Sequence, residues 1–398
     1  MLRTWDEAMG MVPAWRREPY RLLFPLGVAL AWGGVLHWLL HALGVLPDYR
    51  PVFHSIAQIQ GFMTCFAVGF LFTAIPRRTG TAPPAAASMM AGIALPVGTT
   101  VAAWFGRLAL SQVCWLSLIA VLMGFILRRF HSRQAHRRPP VSFVWLPVAL
   151  GMGVAGSLMT GALGILGPDY LWVHQLGRLV VLQGMFLALT VGVGGMIVPL
   201  ITRGEAPPDL APDQRAAVVG HLVAAGLLLA SFWIENSVSL RAGLALRGAV
   251  VLAVLLRTAR IDRVPRLPGW HRWLVWMAAW AIPAGYVLAA LFPAQKKAGM
   301  HVVFIGGFAL MALSVGVHIT LAHGGYRSLV TGRPWQVPVF GGLVLAAVVG
   351  RALVDFDQRR FFLWLGLAAA SFLAGTVFWA TLVVPRLFRR TEPALRRR

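Results

Sequence analysis

Apolar residues in this chain neither alternate nor recur at a helical period. They run on in long stretches separated by short segments rich in Arg, Pro and Gly. A helix that crosses a bilayer needs about 20 mostly apolar residues. On that measure the pattern predicts spans near 22–43, 54–75, 88–106, 109–127, 143–164 and 172–201, then near 216–234, 240–257, 271–292, 299–323, 337–354 and 361–385. The third and fourth are parted only by the region of Arg107, and the eighth carries Arg241 and Arg247. The expected fold is an all-α polytopic membrane helix bundle of about 12 transmembrane helices. Residues 1–21 form an N-terminal tail, 22–385 one transmembrane domain and 386–398 a basic C-terminal tail. The acidic, Pro-rich linker 205–214 suggests halves at 22–201 and 216–385, although no register aligns them residue by residue.

Composition fixes the class. With 58% hydrophobic and 12% charged residues, the chain is too apolar for a soluble domain. The net charge of +23 does not imply nucleic acid, because that requires basic residues gathered on one soluble face. Most of the 36 Lys and Arg instead fall in alternate inter-span segments, which predicts cytoplasmic termini; Lys296 and Lys297 are the local exception. Asp6, Glu7 and Glu18 interrupt the N-terminal region, so no secretory signal is expected there. Cys65 and Cys114 both lie in apolar runs and read as packing residues. Neither a nucleotide-binding glycine loop nor a hydrolase or zincin motif occurs.

Histidine is the unusual ingredient, because ionisable groups are costly in hydrocarbon and those retained tend to be functional. On the predicted topology His37 and His41 lie near the outer end of the first span. His54, His174 and His301 open the second, sixth and tenth from the outside. Five rings from four spans thus share one level, and His37 and His41 share a helix face. Such a cluster suits a transition metal or haem iron. Arg178 lies about one turn beyond His174; a haem propionate would partner it, as would Glu235 or Asp169.

The other histidines divide differently. His131, His136 and His271 are expected to be solvated. His221, His318 and His323 are lower-ranking candidates for an inner site. The last two lie about 140° apart around the helix, so one ion held by both is not expected. Paired glycines at 192–195, 306–307 and 341–342 read as close helix packing, the same feature that would admit a flat cofactor.

Two stretches carry a family resemblance. In HSIAQIQGFMTCFAVGFLFTAIPRRTG, residues 54–80, it rests on His54, Gly61, Phe62, Gly69, Phe70, Thr73, Ala74, Pro76, Thr79 and Gly80. The second stretch is HVVFIGGFALMALSVGVHITLAHGG, residues 301–325, and GGMIVPLITRG, residues 194–204, adds to it. These resemble the NnrS family of haem- and copper-containing bacterial membrane proteins associated with nitric oxide metabolism and nitrosative stress. The chain departs from the family pattern at Ile56 and Ala57, where a second histidine and a glutamate are expected. Either His37 and His41 compensate or the metal complement is altered.

The resemblance implies haem, with copper as a second cofactor, in a multi-pass protein of the bacterial inner (plasma) membrane. Haem ligation would draw on His54, His174 and His301 with Arg178 beside them, and His37 and His41 would be reserve or copper ligands. Nitric oxide or another small diatomic is the implied ligand, in sensing, scavenging or protection rather than turnover. Two readings compete: a membrane nitric oxide or quinol-linked oxidoreductase, and a proton-coupled secondary transporter built on Gly/Pro-interrupted spans.

Overall fold

A computed structural model describes residues 12–132, 139–161, 167–206 and 214–388. His136, most of the 205–214 linker and the outer parts of both tails lie outside the described residues. Among the described residues every regular element is helical, and twelve helices are long and apolar enough to cross a membrane. They are α1 Tyr20–Ala42, α2 Pro51–Thr79, α3 Ala86–Trp104, α4 Leu108–His131, α5 Val141–Gly161, α6 Leu171–Arg203, α7 Arg215–Ser237, α8 Leu240–Ala259, α9 Trp270–Leu291, α10 Pro293–His323, α11 Gln336–Phe356 and α12 Gln358–Phe388. The protein is therefore a multi-pass membrane protein whose exposed apolar surface faces lipid.

Contacts divide the chain into two compact units: Met1–Val35, Asp48–Met196 and Pro207–Thr258 form the first, Leu36–Pro47, Ile197–Ala206 and Ala259–Arg398 the second. Within the first, α3 pairs with α4 and α7 with α8 as antiparallel neighbours; within the second, α11 pairs with α12. Because lipid is as apolar as the side chains, such pairs are held by close packing over small residues. A Cβ on Gly156 of α5 would sit 2.6 Å from the Val181 nitrogen of α6, and one on Gly34 of α1 would sit 2.8 Å from Cβ of Ala57 in α2. In the second unit, a Cβ on Gly285 of α9 would lie 2.6 Å from the Gly299 carbonyl oxygen of α10.

Three spans stand apart. In α2, α6 and α10 the most apolar 18-residue stretches are 83%, 78% and 61% buried, ahead of α9 at 56% and well above α7 at 28%, so these are the most interior helices of their units. They share a layout. Each opens near a histidine (His54, His174 or His301) and then widens into a π-helical stretch: Ala57–Met63, Val180–Gly184 and Val302–Ala309. Each stretch contains a glycine: Gly61, Gly184 and Gly307 respectively. The chain leaves each span through a left-handed glycine, Gly80 at φ 68°, Gly204 at φ 77° and Gly325 at φ 77°, a conformation that a side chain resists. The three spans are the second, sixth and tenth, so the layout recurs every four.

Of the paired glycines, Gly192, Gly307 and Gly341 pack closely, whereas a Cβ on Gly342 would meet nothing within 4 Å. A Cβ on Gly192 would lie 2.6 Å from that of Trp145, and one on Gly307 2.5 Å from the Ile282 side chain. The doubtful eighth span is present, and its Arg247 is fully buried.

Candidate histidine site

The first unit holds His54 and His174. Each lies in the opening turns of its span, and each ring turns back onto a neighbouring helix. His54 Nδ1 bonds the Gly34 carbonyl of α1 at 2.7 Å, and His174 Nδ1 bonds the Thr160 carbonyl of α5 at 2.8 Å. In the second unit His41 Nδ1 bonds the Leu46 carbonyl at 2.9 Å, and His301 Nδ1 bonds the Lys297 carbonyl at 2.7 Å. A carbonyl oxygen only accepts, so in all four rings Nδ1 is the donor and the lone pair sits on Nε2. The fifth ring, His37, is buried and lies against Trp38 at a centroid distance of 4.6 Å.

Arg178 of α6 is half-buried, and among the described residues it has no ion-pair or hydrogen-bond partner. Of the carboxylates open to it on sequence, Glu235 is committed elsewhere and Asp169 is exposed. Glu235 lies 2.6 Å from Arg247 Nη1. Arg247 also donates to Ser231 Oγ at 3.1 Å and to Gln183 Oε1 at 2.9 Å, and stacks over Phe232 at 3.6 Å. A buried guanidinium without such company would be prohibitive in a membrane. Gln183 belongs to the π-helical stretch of α6.

Its counterpart in α2, Gln60, exchanges two amide hydrogen bonds with Gln112 of α4, both 3.0 Å, and Ser157 Oγ of α5 donates to Gln112 Oε1 at 2.7 Å. These polar anchors escape sequence reasoning because each partner sits on a different span. The legible signal is a Gln-Gly pair inside an apolar run, at 60–61 and again at 183–184.

The lower-ranking histidines acquire separate roles. His221 Nδ1 accepts from Trp145 Nε1 at 3.0 Å, so its proton lies on Nε2, the opposite tautomer to the rings above. His323 is exposed at the end of α10. His318 pairs with His271: Nε2 of His271 and Nδ1 of His318 are 3.1 Å apart. His271, expected to be solvated, is instead fully buried. Its position one residue into α9 looks interfacial, but the Gly269 turn and Val330 close over it. His131, by contrast, is exposed as expected.

Near the end of α6, Arg203 donates to the Ala259 carbonyl at 2.9 Å and to Glu205 Oε2 at 3.0 Å. The Arg203 hydrogen bond holds the Glu205 carboxyl below its ordinary pKa, with Arg263 and Arg266 adding to the effect. Among the described residues no three His, Cys, Asp or Glu side chains gather closely enough to hold a metal ion by themselves.

Long π-widened spans with a histidine at the start and a left-handed glycine at the end occupy the stretches that carry the sequence resemblance. A family model described as NnrS protein matches residues 14–390. The chain belongs to the NnrS family. Among curated proteins none matches it. The NnrS match takes in all twelve spans and every histidine, so family membership covers the whole membrane domain rather than one motif.

Proposed function

We propose that this NnrS-family protein binds haem through histidines that open its interior spans, and that it acts in nitric oxide metabolism or nitrosative-stress protection in a bacterial plasma membrane. The observation that carries the reading is the shared tautomer. His54, His174 and His301 hold Nδ1 against a backbone carbonyl, which puts the lone pair on Nε2 and fixes the ring plane. This is the preparation typical of a ligating imidazole, whose second nitrogen is oriented by a carbonyl or carboxylate. All three open even-numbered spans, and alternation along the chain brings the start of every even span to the same face of a bilayer.

Haem would need only one or two side-chain ligands from the protein, which suits single oriented rings such as His54, His174 and His301 better than a cage of side chains. A half-buried Arg178 one turn beyond His174, without a partner among the described residues, fits a propionate. When bound, haem would supply an iron able to hold a small diatomic ligand. The chain's part is to present Nε2, to hold the Nδ1 proton on a carbonyl and to neutralise a carboxylate with Arg178. Copper, the second implied cofactor, would use the same type of nitrogen, with His37 and His41 as the added candidates.

The test is absorbance and metal analysis of protein purified after expression with ample haem and copper. A Soret band that shifts on addition of nitric oxide is expected; a colourless, metal-free protein overturns the reading. A proton-coupled transporter is the second reading, favoured by the Arg247–Glu235 pair buried among α6, α7 and α8. Proton-dependent uptake into vesicles by metal-free protein would select it.

A further inference from the structure

His271 and His318 make a unit of their own, independent of the haem reading. The two rings come from the start of α9 and the last two turns of α10, with centroids 5.3 Å apart and planes inclined by 34°. The contact between them is nitrogen to nitrogen, Nε2 to Nδ1, at 3.1 Å. One nitrogen must donate and the other accept, so the two rings are tied in a single tautomeric choice.

The choice has two neutral forms. In one, His271 donates from Nε2, its buried Nδ1 carries a bare lone pair, and His318 keeps its own proton on Nε2. In the other, His318 donates from Nδ1, its Nε2 is bare, and the second proton of the pair sits on His271 Nδ1. The outer nitrogens thus exchange roles whenever the central proton moves. They also differ in surroundings. His318 is half-buried, whereas His271 is 0% exposed and its Nδ1 has no hydrogen-bond partner among the described residues.

That buried nitrogen lies against the glycine turn that precedes α9. Gly269 stands at φ 129°, and a Cβ there would lie 3.3 Å from His271 Nδ1 and 2.8 Å from the Val330 carbonyl oxygen. The ring nitrogen and the carbonyl thus both pack against the Gly269 turn. Arg272 is the charged group acting on both rings, and it is itself tied to the Pro268 and Ile201 carbonyls. Among the described residues no carboxylate acts on the pair.

We propose that His271 and His318 form a proton-transfer site at the α9–α10 end of the second unit. A proton arriving on Nε2 of His318 breaks the Nδ1–H bond of the same ring as the central proton moves to Nε2 of His271. The proton on His271 Nδ1 then leaves on the Gly269 side of the ring. Proton number is conserved at each step and no electron moves; the pair is left in its other neutral form, and it is reset when a proton taken up on Nδ1 of His271 sends the central proton back to Nδ1 of His318 and releases the one on its Nε2. His318 is the entry ring and His271 the exit ring.

The test uses full-length protein labelled with heavy-nitrogen histidine in lipid nanodiscs. Nuclear magnetic resonance should show coupling across the His271–His318 hydrogen bond. After transfer to heavy water, His271 ring protons should exchange through His318. His318→Phe is then expected to slow that exchange roughly tenfold or more, and His318→Gln, which keeps a hydrogen bond but cannot relay, should slow it similarly. His323→Asn, an exposed ring on the same helix, should leave it unchanged. Absence of coupling in the unaltered protein overturns the proposal without any variant. So does unchanged His271 exchange in His318→Phe or His318→Gln.

Discussion

His54 and Gly34 are bound to each other across the first two spans of the bundle. The ring donates from Nδ1 to the Gly34 carbonyl at 2.7 Å, and the same glycine is so closely packed that a Cβ would lie 2.4 Å from Gln58 Nε2. The helix contact and the tautomer of the ring are therefore one feature. Gly34→Ala is expected to cost about 1–3 kcal/mol through overpacking and to lower haem content together with stability. Thermal unfolding and haem stoichiometry of the purified variant check this.

Replacing the rings separates ligation from packing. His54→Ala, His174→Ala or His301→Ala should diminish or shift the Soret band where the ring is axial, and leave it unchanged where it is not. Arg178→Leu should leave the band in place and weaken haem affinity roughly tenfold, the size expected for a lost charge-assisted hydrogen bond. Haem titration by absorbance distinguishes the two classes.

The Arg247–Glu235 pair predicts non-additive behaviour. Removing one partner, as in Arg247→Met or Glu235→Leu, should destabilise the protein by about 3–5 kcal/mol because the other charge is left buried. The double variant should recover part of that loss. Unfolding of single and double variants in the same lipid mixture gives the coupling energy; strict additivity would contradict the buried geometry.

Glu205 gives a pH dependence outside the spans. Its carboxyl is held below the ordinary pKa by the Arg203 hydrogen bond, so its contribution is present above the unfolded carboxylate pKa and is lost as pH falls through the folded one. Wild type and Glu205→Gln should therefore differ in melting temperature at neutral pH and converge in acid.

Much of the fold could be read from the chain because bilayer thickness imposes one length on every span. Even the doubtful third, fourth and eighth helices appear. Their ends were harder to place. α2 starts at Pro51 and runs through Arg77 and Arg78, since a basic last turn is at ease at an interface. The site was legible only as residue types. Which ring nitrogen is committed depends on carbonyls such as Gly34 and Thr160, and a carbonyl has no letter in a sequence. The His271–His318 pair was hidden for a related reason, because burial of a span's first turn depends on how the preceding glycine turn folds over it.

The π-helical stretch Ala57–Met63 works as a rotational offset. Each residue of an α-helix turns the chain by about 100°, so one residue accommodated in a wider turn resets the azimuth of everything before it relative to everything after. The wider turn absorbs one residue, so His54 faces Gly34 although the chain between it and the lower half of α2 is one residue too long for an α-helix. Straightening of the stretch with every residue kept would swing the His54 end about a quarter turn away from Gly34, whereas deleting one residue from it would straighten the span and leave the ring in place. The wider turn thus aims the histidine, a role invisible to any hydropathy profile.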